Sequence, residues 1–571
     1  MRKVRNAVAL AIAIALVLPA ITSAAGSDPS GRVERRTIDA VRSRIAPRSA
    51  TIEELGTLTG RELKAWARRF VEVGADARFV PSQIECTTDP ADATGDFRLD
   101  CDTLLPNNEP DVEVNPNDPD HIIASSNDYD WCCDGFYTTL DGGQTWEQGN
   151  MSVEDPSRIG SDPVTVFEPR TGNILHTSLN FQITRNGLGR DGDLVVSISR
   201  DGGFTWGKPI VIYDGHGTDI APRQVFNDKE WIVVDTNPSS PFYGRAYVTW
   251  SRFLSRNASY AESPIWESHS DDGGRTWSEA QEISGSAEFC DIQYHGRANE
   301  CDENQFSVPT VAPDGTVYVA FQNEQNSEIQ EPGEGFGNRD QIHDNQYLVV
   351  QSHDGGVTWS APVIAATLED GPNDYPISSQ DRQTLTGYDA RVNSAGNIIA
   401  DDDGDLYVVF SDNRNGTPDR REPVTNTDVF MVRSTDGGAS WGPVTGVDTS
   451  PGDQWFPWVD ADPTSGELAV VYHSRNEPNP DLYNTFVARG NTAVDFTYIQ
   501  VSSQPSDPTH SVFFKAGVKG CHACATFIGD YNRLAYGPDG RIHAAWTDMR
   551  RRYHGAEAPR FLQFVFYAQL P

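Results

Sequence analysis

From about residue 108 the chain alternates short apolar runs with clusters of Asp, Asn, Gly and Pro. Residues 244–252 (GRAYVTWSR), 314–324 (DGTVYVAFQNE), 403–414 (DGDLYVVFSDNR), 465–475 (SGELAVVYHSR) and 539–550 (DGRIHAAWTDMR) each open on a turn, continue as Val, Tyr, Phe and Trp, and close on polar side chains. β-Branched and aromatic residues bounded by turn formers are the grammar of buried strands. Residues 111–127 and 162–180 supply two more hairpins of this kind, making seven. A helical period shows at residues 60–73, before this region, where Leu63, Trp66, Phe70 and Val71 share one side.

An octapeptide recurs between the hairpins. It begins at Thr139, Ser199, Ser270, Ser352 and Ser434, and all five copies obey Ser/Thr-x-Asp-Gly-Gly-x-Thr/Ser-Trp. Asp141, Asp201, Asp272, Asp354 and Asp436 can accept hydrogen bonds from the amides of their own turns, the glycines supply positive φ, and each Trp brings a large apolar face to the next layer. A long repeat of one design implies a propeller or a solenoid. The five copies resemble the Asp-box, or BNR, repeats of sialidases and related β-propellers. That resemblance implies an all-β ring of four-stranded blades. The hairpin count favours seven blades, with six as the alternative, preceded by a short helical extension.

The start of the chain carries Arg2, Lys3 and Arg5 ahead of an apolar run at 7–19 and small residues at 22–25. This is the pattern of a secretory signal. The expected division is a signal peptide at 1–25, an N-terminal extension at 26–107 and the propeller at 108–571. No second apolar run is long enough to span a membrane, so a secreted or extracytoplasmic protein without membrane insertion is expected. Eight cysteines in such a chain should be oxidised. Cys86 with Cys101, and Cys290 with Cys301, read as loop staples. Cys132 and Cys133 in the first blade would meet Cys521 and Cys524 at the last, where a disulfide clasp could replace closure by strand exchange.

A net charge of -37 excludes an unspecific nucleic-acid binder. The acidity fits solubility or salt tolerance and leaves room for a structural calcium ion, but no ligand set for a metal cofactor stands out. The run at 401–405 (DDDGD) lacks a Glu at EF-hand spacing and reads as a solvated turn.

In such a ring the octapeptide turns lie away from any pocket, and chemistry belongs where second strands leave and first strands enter. Those positions hold Asp162, Lys229, Glu230, Glu324, Arg391, Arg414, Arg475, Asp530, Tyr531 and Arg550. The segment 529–534 (GDYNRL) followed by 538–542 (PDGRI) is similar to the stretch where sialidases carry their nucleophilic Tyr. The resemblance thus implies Tyr531 as nucleophile, Glu230 or Glu324 as its base, Asp162 as acid, and Arg414, Arg475 and Arg550 as a carboxylate clamp. Arg391, Lys229 and Asp530 join them as binding residues. A Phe/Tyr-Arg-Ile-Pro motif is absent before the first octapeptide; the nearest string, RIAP at 44–47, lies in the extension. The expected activity is hydrolysis of terminal acidic sugars by a monomer acting on a glycan. A non-catalytic glycan- or protein-binding propeller and a polysaccharide lyase are the alternatives.

Overall fold

The computed structural model describes residues 86–87, 95–100, 106–128, 133–155, 158–183, 189–215, 223–256, 259–290, 299–324, 345–371, 373–377, 383–419, 421–476, 478–491, 495–508, 527–550, 552–553, 556–557 and 563–571. They form seven antiparallel blades of four principal strands each, and no helix occurs among them. The innermost strands, in blade order, are Asn107–Asn115, Arg158–Glu168, Arg223–Val234, Asn304–Val311, Ile398–Ala400, Gln454–Ala461 and Arg533–Tyr536. The signal peptide and the helix expected at 60–73 lie outside the described residues.

The second strands explain the sequence pattern. Val317–Asn323, Leu406–Asp412, Leu468–Ser474 and Ile542–Asp548 are buried along their whole length. Each is covered on both faces by neighbouring blades, so its apolar residues run on instead of alternating with polar ones.

Each octapeptide is the turn between the third and fourth strands of blades 1 to 5. In the first, Asp141 accepts hydrogen bonds from the Thr145 amide at 2.9 Å and the Thr145 hydroxyl at 2.6 Å, and Trp146 Nε1 donates to Gly143 O at 3.1 Å. Four of the turns bond to the preceding blade. His121 and Thr138 of blade 1 donate to Gly202 O, Asn173 of blade 2 to Gly273 O, Arg245 of blade 3 to Gly355 O, and Gln569 of blade 7 to Gly142 O. The repeated turns therefore staple blade to blade on the face opposite the second-strand exits.

The ring closes by strand exchange. Phe97–Arg98 pairs with Phe564–Leu570 and supplies the fourth strand of blade 7, while Cys86–Thr87 pairs with Thr145–Asn150 of blade 1. The propeller thus begins before residue 108, and the last blade takes its outer strand from residues 97–98, with Phe564–Leu570 as its third. Arg550 fastens the junction, with Nη2 at 2.7 Å from Asp96 and 2.8 Å from Asp548. Cys290 and Cys301 form the expected disulfide. The side chains of Cys86, Cys101, Cys132, Cys133, Cys521 and Cys524 lie outside the described residues, and with them the expected clasp.

Candidate functional site

The site is generated by one backbone irregularity repeated around the axis. Near the start of five innermost strands the ladder slips, and the slipped residue has positive φ: Glu109 (53°), Asp162 (58°), Lys229 (55°), Phe306 (58°) and Phe456 (55°). Such a bulge re-aims a side chain. The left-handed conformation costs a non-glycine residue about 1–3 kcal/mol and clusters at functional positions. In blade 7 the place is taken by Gly529 (φ 85°), where an added Cβ would lie 3.3 Å from Glu109 Cγ.

The bulges of blades 1, 2, 3 and 7 bring charges together. Asn127 binds two of them, donating to Glu109 Oε2 at 2.6 Å and accepting from the Asp162 amide at 2.8 Å. The Asp530 amide donates to Glu109 Oε1 at 3.1 Å, and Arg391 holds the Asp530 carboxylate at 2.6 Å. Burial pushes the Glu109 carboxyl well above the usual carboxylate range. Repulsion from Asp162 and Asp530 adds to this, Lys229 opposes it, and a hydrogen bond joins Glu109 to Asp162. A raised carboxyl is what like charges sharing a buried site produce. Burial lowers the Lys229 ammonium, against the attraction of Asp162, Glu109, Asp530 and Glu230.

Tyr531 stands beside this cluster. Its hydroxyl is buried and has no hydrogen-bond partner among the described residues. Its ring lies 3.2 Å from Lys229 Nζ, centroid to nitrogen, and 5.5 Å from the Trp231 ring. Burial, and then the negative charges of Glu109, Asp162, Asp111 and Glu230, push the phenol well above its ordinary range. Aromatic rings of different blades meet here. Trp231 of blade 3 meets Trp458 of blade 6 at 4.4 Å, and Arg533, paired with Asp111 and Glu113, lies 4.9 Å from the Trp458 ring.

Asp162, Lys229, Glu230, Arg391, Asp530 and Tyr531 lie together here. The three clamp arginines are held apart, each by a carboxylate of its own blade: Arg414 by Asp412 at 2.6 Å, Arg475 by Asp453 at 2.7 Å, and buried Arg550 by Asp548 and Asp96. Glu324 acts on Asp370, away from Tyr531. Sequence reasoning missed Glu109 and Phe306. For Glu109 the signal lay in Pro110, because a proline inside a strand marks an edge or a bulge, as Pro163 and Pro457 do in blades 2 and 6; Phe306, followed by Ser307, carries no such mark.

Fold and site together define a seven-bladed β-propeller with a buried, mainly acidic cluster at one end of its axis. No protein-family model matches the chain, and no curated protein does. Among solved structures it is similar to an ulvan lyase of a new polysaccharide lyase family, at 10% identity and a TM-score of 0.43, over 86% of this chain and 98% of that one. A protein of unknown function from Dyadobacter fermentans is similar at 12% identity and a TM-score of 0.41, over 72% and 94%. A mutant of the NanB sialidase from Streptococcus pneumoniae is similar at 10% identity and a TM-score of 0.38, over 79% and 83%.

Proposed function

We propose that the protein is an extracytoplasmic, glycan-active propeller that holds a terminal sugar at the axial cluster and hydrolyses its glycosidic bond. The observation that carries the reading is the Glu109–Asp162 pair, with Glu109 bonded to Asn127 and to the Asp530 amide and its carboxyl raised by burial and then by its acidic neighbours, which suits it to protonate a leaving oxygen. Asp162 keeps the acid role read from the sequence, shared with Glu109. Because no carboxylate is hydrogen-bonded to the Tyr531 hydroxyl, water is the simpler nucleophile. Its oxygen would bond to the anomeric carbon as the glycosidic C–O bond breaks, its proton passing to a carboxylate and the pair's proton to the leaving group. A carboxylated sugar would be met by Lys229, whose ammonium has no hydrogen-bond partner among the described residues. The Cys290–Cys301 disulfide fits an oxidising compartment.

One observation favours the second reading, binding without cleavage. The two carboxyls touch, whereas hydrolytic pairs stand roughly 5–5.5 Å apart in retaining enzymes and 6.5–9.5 Å in inverting ones. The test is a panel of fluorogenic glycosides, sialosides included, and of uronate polymers, assayed with the wild type, Glu109→Gln and Asp162→Asn. Turnover reduced more than about 100-fold in Asp162→Asn supports hydrolysis. Turnover retained in both variants removes the pair from the chemistry. Binding to arrayed glycans with no turnover by the wild type establishes the second reading.

A further inference from the structure

Of the five bulge side chains, three make the charged cluster and Phe456 is sealed at 1% exposure. Phe306 differs from all of these. It is half-buried, and its ring has no ring contact among the described residues. Its bulge matches those of the charged residues, the ladder slipping between Gln305 and Val308 as it slips between Asp228 and Trp231. Gln305 donates to Asp228 at 2.8 Å, which fixes the bulge of blade 4 against that of blade 3, next to Lys229. A bulky aromatic residue in the left-handed region is a genuine outlier, where Gly or Asn would sit without strain. Blade 7 carries Gly at its own such position. The fold therefore keeps a strained, partly buried phenylalanine that belongs to none of the buried core clusters among the described residues and carries no charge for the cluster.

We propose that Phe306 is the apolar contact of the axial site, its ring taking the C–H face of the sugar whose hydroxyls meet Glu109, Asp162 and Lys229. This rests on the glycan-binding reading above and deepens it. Charged groups on one side and an aromatic ring on the other select a pyranose with a polar edge and a continuous C–H face. Phe306 is a specificity residue and takes no part in bond breaking.

The experiment titrates methyl glycosides, neutral and sialylated, into the full chain, the wild type beside Phe306→Asn and Phe306→Trp. Phe306→Asn is expected to weaken the glycoside that the wild type binds by about tenfold, the size of one lost aromatic contact, with Tm unchanged or raised because Asn tolerates the bulge. Phe306→Trp should bind within about threefold of the wild type, since the ring is kept. Where a glycoside is cleaved, KM should rise while kcat holds. Unchanged affinity in Phe306→Asn overturns the proposal alone, and so does a lowered Tm with affinity intact, which would make the ring structural. If the wild type binds none of the glycosides, the underlying reading falls and this inference falls with it.

Discussion

The ammonium of Lys229 sits 3.2 Å from the centre of the Tyr531 ring, while the Tyr531 hydroxyl has no hydrogen-bond partner among the described residues. The ring of this tyrosine is engaged by a cation, whereas its oxygen bonds to no described residue. Tyr531→Phe should therefore leave Tm within about 1 °C and turnover within about threefold, because the cation–π contact survives. Tyr531→Leu removes that contact and should lower both. A loss of several orders of magnitude in Tyr531→Phe, at constant Tm, would restore the phenol as nucleophile.

Arg550 should matter for closure rather than for substrate. It is 1% exposed, bridges Asp548 to Asp96 beside the exchanged strand, and lies 3.7 Å from the Phe566 ring. Arg550→Ala strands two buried carboxylates and should cost about 3–5 kcal/mol, read by thermal or urea unfolding. Arg414→Ala, at a partly exposed position beside Asp412, should cost less. If the two variants are equally stable, Arg550 is not the fastener of the ring.

The blades were legible in the sequence because turn residues and buried second strands carry strong local signals. The repeated turns, the hairpins and the Cys290–Cys301 staple all sit within short stretches of chain. Closure was not legible. Phe97 pairs with Tyr567, and nothing local announces a partner 470 positions away. The site was half legible. Position at a strand entrance found Asp162, Lys229 and Asp530, but it could not show that Arg414 and Arg475 are already occupied by Asp412 and Asp453. Nor could it show that a bulge would turn Glu109 toward Asp162. Whether a side chain is free or already paired is a property of packing, not of residue type.

Stability should fall as pH rises from about 4 to 8, through carboxyls that the fold keeps protonated. Burial lifts Asp370 to about 8, and the negative charges of Asp412 and Glu324 add to the lift. Burial likewise lifts Asp193 to about 8, and Asp302 and Asp428 to about 7. A carboxyl raised in the folded state gives stability that is complete below its ordinary pKa and lost as pH climbs through the raised one. Asp370→Asn keeps an oxygen to accept the 2.6 Å hydrogen bond from Gln322 and removes the titration. Scanning calorimetry should find its Tm equal to wild type near pH 4 and higher by roughly 2–4 °C at pH 8. A Tm difference that does not change with pH would refute this account.

The repeated turns should behave as staples with no role in the site. Asp354 is exposed, yet the Thr358 hydroxyl at 2.6 Å and amide at 2.8 Å, with Ser352 at 2.9 Å, hold its carboxyl at about 2. A lowered carboxyl gives stability that is present above its ordinary pKa near 4 and lost as pH falls through the lowered one, so this contribution should vanish toward pH 2. Asp354→Ala removes an acceptor much as a lost helix cap does and should cost about 0.5–2 kcal/mol at neutral pH. The same turn is fastened to blade 3 by Arg245, which donates to Gly355 O at 2.6 Å. Loosening the turn from within and from its neighbour acts on one structure, so Asp354→Ala and Arg245→Ala together should cost an amount that differs from the sum of the two. Glycan affinity should be unchanged in all three variants, because the turn lies at the opposite end of the blade from Lys229 and Glu109. A loss of affinity with Tm preserved would place the turn in the site after all.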